Sequence, residues 1–220
     1  MKQLKFYRFT GWLLLALFLS VQGCRPKSER LPFLSTELVD KMENGKLIQD
    51  TVPKVIPPFS LRNQDSLVLD NSTFAGKIYV ADFFFTTCPT ICPVMHRNLL
   101  SVYQQFADEP RVMFLSHTID VKYDTPSRLK AYAGKLGIDT RRWQFAWGTR
   151  DSIYNLAQKH YLVSVGEERA APGGFVHQGY LVLVDGKGRI RGAYDGTVEA
   201  EAKKLSAGIR SLLAEEEDSK

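Results

Sequence analysis

The chain has 220 residues, 44% hydrophobic and 24% charged, which is the make-up of a soluble globular protein with one packed domain and terminal extras. Its formal charge of +5 and pI near 9.0 come with no clustered basic face, so they carry no sign of nucleic-acid binding.

In chain order, the first 23 residues join a basic start (Lys2, Lys5, Arg8) to the apolar run GWLLLALFLSV, Gly11 to Val21. That run is shorter than the ~18 residues a spanning helix needs, so residues 1–23 read as a signal peptide and not a permanent anchor. Its end, VQGC, resembles a bacterial lipobox, although Gln22 is larger than that pattern usually has. Cys24 is therefore expected to be lipidated and to become the mature N-terminus. The domain would then sit in the cell envelope, tethered to a membrane on the periplasmic side. Without the three leading basic residues the charge falls to about +2, which removes the remaining case for a polyanionic partner.

Residues 24–50, with Pro26 and Pro32 and no sustained period, are expected to form a tether. The domain is expected over 51–214, followed by an acidic tail, EEEDSK, at 215–220. FSLRNQDSLVLD alternates around Asn63 to Ser66 as a hairpin does, and KIYVADFFF is a continuous apolar run of buried-strand type. A helix follows with Met95, Leu99, Val102 and Phe106 on one stripe. RVMFLSHTID predicts a second buried strand. Pro126 opens a helix with Leu129, Tyr132, Ala133 and Leu136 facing inward, and a third helix runs from about Asp151 to Tyr161. YLVLVDGKGRIRGAYDG is a hairpin turning at Gly186 to Gly188, and the last helix carries Val198, Ala202, Leu205, Ile209 and Leu212. Early strand–helix alternation closed by a hairpin predicts a mixed α/β sandwich.

Cys88 and Cys92 fall four residues apart in ADFFFTTCPTICPVMHRNLL. Pro89 and Pro93 are tolerated only in a first helical turn, so the helix starts inside this motif, at the end of a buried strand. Orphan N–H groups there favour thiolate, which is both nucleophile and metal ligand. The spacing also lets the pair close a disulfide, in an exported protein where thiols oxidise. Two thiolates make an incomplete metal site. His96, four residues after Cys92, is near enough to ligate but reads as a solvent-facing helix residue. His117 ends the second strand at the edge that presents the cysteine loop, where a role behind the ligands is open to it. His160 reads as partly buried packing. His177 follows the glycine-rich APGGFV and precedes YLVLVD, on a mobile segment able to swing toward the cysteines.

Together FFFTTCPTICPVM, TIDVKYDTPSRLKAYA and GGFVHQGYLVLVDGKGRIRGAYDG, in that order between Pro57 and Leu213, resemble the Sco/SenC copper chaperones. The shared pattern is a C-x-x-x-C-P loop, a D-x-x-x-D-T-P segment and a later histidine before a strand ending in Asp. The resemblance implies a thioredoxin-like fold, with a central mixed β-sheet flanked by helices and an N-terminal β-hairpin extension. It further implies copper held by Cys88, Cys92 and His177, and a client at the copper centre of a haem-copper oxidase or another cuproprotein. A thioredoxin-like reductant is a further implied partner. Asp120 and Asp124 fall on the family's acidic pair, with turn formation and capping ahead of Pro126 as the alternative. Thr90 stands where many members have Asp, and Val121 where Pro often follows the first Asp. Two soft thiolates and an imidazole suit Cu(I) in a trigonal site, whereas zinc prefers four fixed ligands.

The main rival is a thiol:disulfide oxidoreductase working through Cys88 and Cys92. Enzymes of that type use C-x-x-C and a proline before the facing strand; here the loop is one residue longer and His177, Gln178 and Gly179 precede the strand. A peroxiredoxin would have Thr and Pro where Phe85 and Ala81 stand. Covalent haem attachment has no C-x-x-C-H, and a structural disulfide on an inert module is the plainest alternative.

Overall fold

The computed structural model describes residues 30–218. The expected signal peptide and the expected lipidation site, Cys24, lie outside the described residues.

The expected tether is the first correction. Thr36–Glu43 (β1) and Lys46–Pro53 (β2) form an antiparallel hairpin, with Thr36 opposite Pro53 and Glu43 opposite Lys46. Its turn is Asn44-Gly45, both at positive φ (51° and 76°), the geometry that a two-residue hairpin demands and Asn-Gly supplies. No hydrophobic alternation betrayed it, because both faces of the ribbon are largely exposed. Upstream, Leu31 to Leu34 are docked too. Buried Arg191 donates to the Leu31 and Pro32 carbonyls at 2.6 and 3.2 Å, and the Phe33 ring lies under its guanidinium. The Leu34 N–H donates to the Ile190 carbonyl at 3.0 Å.

Ser60–Arg62 (β3) and Val68–Asp70 (β4) make the hairpin expected around Asn63. Ile78–Phe84 (β5) and Val112–Thr118 (β6) are buried along their whole length, as strands inside a parallel sheet are. They pair in parallel from Ile78 opposite Val112 to Phe84 opposite Thr118. Between them runs α1 (Cys92–Gln105); α2 (Pro126–Leu136) leads to β7 (Trp143–Ala146), parallel to β6. Arg150–Asn155 (α3) continues as a π-helical stretch, Leu156–Tyr161. Val165–Glu167 (β8) and Phe175–His177 (β9) pair as a small separate ribbon. Tyr180–Val184 (β10) runs antiparallel to β5, and Ile190–Asp195 (β11) closes the sheet. The strand order is β11-β10-β5-β6-β7, the mixed sheet expected.

The last helix, α4 (Glu199–Glu217), absorbs most of the supposed acidic tail. Glu215 pairs with Arg191 at 2.8 Å and accepts the Leu31 N–H at 2.9 Å. Glu215 is thus ordered by a buried partner, and Glu217 pairs with Arg111 at 3.1 Å, so the segment is not a free solvated run.

Strand alternation sorts the polar residues of the sheet onto two faces. Asp82, Ser116 and Phe84 meet α1 and α2, while Phe83 and His117 meet Tyr161 on the other face. The C-terminal end of β5 delivers the chain to the cysteine loop, and that of β6 to the segment carrying Asp124, which bonds to Thr86 at the start of that loop. The opposite end of the sheet carries the Gly186 turn, the docked residues 31–34 and the Arg191 cluster.

Candidate metal centre

Cys88 sits in the turn after β5, its N–H donating to the Phe85 carbonyl at 3.2 Å. Cys92 is the first residue of α1, with Pro93 in the first turn where its missing N–H costs nothing. Both thiols are buried and not joined in a disulfide. His177 completes the group: its Nε2 lies 3.2 Å from Cys92 Sγ and 4.0 Å from Cys88 Sγ. All three ligand atoms lie within 4.8 Å of one another. Ligands about 2.2 Å from a shared ion in a trigonal plane stand about 4 Å apart, so a small contraction would close this set around one metal.

The imidazole is already in place, held by a built surface and not by a free swing. Phe85, buried at the end of β5, packs edge-on against His177 at 5.9 Å and against Phe175 at 5.1 Å. Gly173 lets the preceding turn lie on that ring. Its φ is +78°, and a Cβ there would fall 2.7 Å from Phe85. His177 Nδ1 lies 3.3 Å from the Gln178 carbonyl, which can only accept. The ring proton therefore belongs on Nδ1, and Nε2 turns its lone pair to the sulfurs.

The two thiols differ. A hydrogen bond donated by the Cys92 thiol, with the backbone N–H groups of Cys92 and Thr90 behind it, holds Cys88 far below the ordinary thiol range. The Cys88 sulfur together with burial pushes Cys92 well above it. Thr90, where an Asp was the usual residue, places its hydroxyl 3.7 Å from Cys88 Sγ. It supplies a donor to the thiolate in place of a repelling carboxylate.

His96 overturns its expectation. It is 1% exposed, its Nε2 2.9 Å from Asp82 Oδ2 and its Nδ1 2.8 Å from the Tyr132 hydroxyl. Burial, with the negative charge of Asp82 and of the Cys88 thiolate behind it, raises the Tyr132 pKa, so the phenol donates to Nδ1 and Nε2–H donates to Asp82. Ser116 donates to the other Asp82 oxygen, and Trp143 Nε1 donates to Ser116 at 2.8 Å. The cluster lies behind the cysteine loop and supplies no ligand. His117 is also fully buried, stacked on Phe83 at 4.6 Å with its pKa pushed down to about 4 by desolvation. Its Nδ1 meets the Asp82 carbonyl at 3.2 Å and it reaches neither sulfur. His160 is partly buried as expected, and desolvation lowers its pKa.

The acidic pair divides. Asp124 is fully buried and accepts from the Thr86 N–H at 2.9 Å, the Thr86 hydroxyl and the Thr118 hydroxyl at 2.6 Å. It clamps the start of the cysteine loop to the end of β6. Asp120 accepts the Tyr123 N–H at 3.2 Å, a turn contact. Neither caps α2, whose N-cap is Thr125.

Residues 49–214 match the family profile described as SCO1/SenC. Among solved structures the chain is similar to a SCO1/SenC family lipoprotein from Bacillus anthracis str. Ames, at 26% identity and a TM-score of 0.66, with 72% of this chain and 95% of that one covered. BsSco, a member of the Sco family of cytochrome c oxidase assembly proteins in which a disulfide switch was identified, matches at 24% identity and a TM-score of 0.64, over 73% and 94% of the two chains. Yeast Sco1 with copper bound matches at 24% identity and a TM-score of 0.59, over 76% and 95%. The profile spans the five-stranded sheet, the cysteine loop and His177, and the chain belongs to the SCO1/SenC family.

Proposed function

We propose that this protein carries copper as cargo, held by Cys88 Sγ, Cys92 Sγ and His177 Nε2, for delivery to the copper centre of a haem-copper oxidase. The observation that bears this reading is the convergence of one imidazole lone pair and two thiols on a single point. Soft thiolates with one imidazole favour Cu(I), and a three-ligand site leaves room for an incoming thiolate of an acceptor. The rigid start of α1 holds one sulfur, while the short β8–β9 ribbon holds the imidazole, so the ligands need not leave together. The copper-bound Sco neighbour and the oxidase-assembly description of BsSco support the cargo and the client. As test, the reduced protein should take up one Cu(I) per chain and show a thiolate charge-transfer band with Cu(II). Zinc retained in preference to copper would overturn the assignment.

A second reading, thiol:disulfide exchange, is favoured by the unequal thiols. Cys88 has the character of an attacking thiolate and buried Cys92 that of a resolving thiol. Both readings place the domain outside the cytoplasm on a lipid at Cys24. That placement is supported by the lipobox-like VQGC and by the neighbour described as a lipoprotein. Fatty-acid labelling should vanish in Cys24→Ser; unchanged labelling would reject the anchor.

A further inference from the structure

One groove beside the thiols takes no part in holding them. It lies between the cysteine loop and α2, walled by Thr86, Thr87, Tyr123, Arg128, Tyr132 and Lys135, with a volume of about 220 Å³. We propose that this groove receives a carboxylate of the protein that exchanges copper or electrons with the thiols, a proposal that rests on the carrier reading. Thr87 adjoins Cys88, so whatever fills the groove stands next to the metal centre.

The groove's charge is uncommitted. Among the described residues neither Arg128 nor Lys135 forms an ion pair, whereas Lys130 on the same helix is paired with Asp65 at 2.8 Å. The Arg128 guanidinium lies 3.9 Å over the Tyr123 ring, which fixes its plane and leaves its edge free for a planar anion. The neighbouring acids are already engaged: Asp124 is buried on Thr86 and Thr118, and Asp120 accepts from the Tyr123 backbone. The volume falls below the roughly 300 Å³ at which small-molecule pockets begin, so it suits one side chain presented by a larger partner. Electrostatic contacts at such a rim set encounter rate and orientation more than final affinity.

The experiment uses the full chain, reduced, in neutral detergent. Cys88 is alkylated with iodoacetate and with iodoacetamide, alone and with tetraglutamate or tetralysine peptide present. The rate ratio of iodoacetate to iodoacetamide should fall about fivefold in Arg128→Glu/Lys135→Glu, an effect that high salt erases. Tetraglutamate, and not tetralysine, should slow alkylation by the neutral reagent in the native chain and leave the double variant unaffected. Equal protection by both peptides, or protection that survives the charge reversal, would overturn the docking site. So would a fallen rate ratio with no protection at all, since that outcome reports only a diffuse field. Cu(I) uptake is read on the same samples. A native chain that binds no Cu(I) yet is protected by tetraglutamate refutes the carrier and keeps the groove; the converse result refutes the groove alone.

Discussion

His177→Ala should lose most of the Cu(II)–thiolate absorption and weaken Cu(I) binding by more than about a hundredfold, which is already the upper end of what losing a residue behind a ligand costs. Among the described residues its Nε2 is the one side-chain nitrogen placed to ligate with both sulfurs, so nothing else on the ribbon can replace it. The Cys88/Cys92 disulfide potential should stay within about 30 mV, because the couple needs only its two sulfurs. Cys88→Ser and Cys92→Ser should abolish Cu(I) binding and the redox couple together, and the native disulfide form should bind no Cu(I). His117→Ala and His96→Ala should keep the copper spectrum, since both side chains are committed elsewhere. If His177→Ala kept the full spectrum, the third ligand would be wrong. If only the cysteine variants failed in every assay, exchange chemistry would displace carriage.

His96→Ala should instead be costly to the fold, by about 3–5 kcal/mol, because it strips a fully buried carboxylate of its main partner. The vacated space would lie against Phe84, Tyr132 and Trp143, which adds a cavity to an unpaired charge. Urea titration should show a midpoint lower by roughly 1.5–2.5 M for an m-value near 2 kcal/mol/M. Adding Asp82→Asn to His96→Ala should recover part of that loss, since the second change removes the stranded charge. Equal or greater loss in the double variant would show that packing, and not the His96–Asp82 hydrogen bond, carries the effect.

Those two histidines mark where the sequence could be read and where it could not. His177 was legible because a glycine-rich loop and a strand bracket it in a family pattern that also contains the cysteines. His96 was misplaced because a polar residue on an amphipathic helix is assigned to water by default. The missed signal was its counterpart: Asp82 stands inside KIYVADFFF, and a carboxylate in a fully buried strand requires a partner. Asp124 stayed open between the acidic pair and a cap, since D-T-P before a helix suggests a cap and the long-range contacts to Thr86 and Thr118 that turn it inward leave no local signal. Strands β5 and β6 followed from apolar runs, β10 and β11 from the hairpin pattern, and the mixed sheet from early strand–helix alternation; the strand order came only with the structure. The β1–β2 ribbon did not, although Asn44-Gly45 announced its turn, because strands without a buried face leave no period to detect.

The clasp of Arg191 on residues 31–34 gives the molecule a fixed polarity. β5 alone separates that pole from the thiols by about 20 Å, seven residues at strand rise. Any attachment upstream of residue 30 therefore holds the domain by its base, with the cysteines as its crown. An acceptor site standing a domain's height above the attachment surface can be met head-on. One lying flush with that surface can be met only if the body tips over as a whole, because the clasp ties residues 31–34 to the sheet.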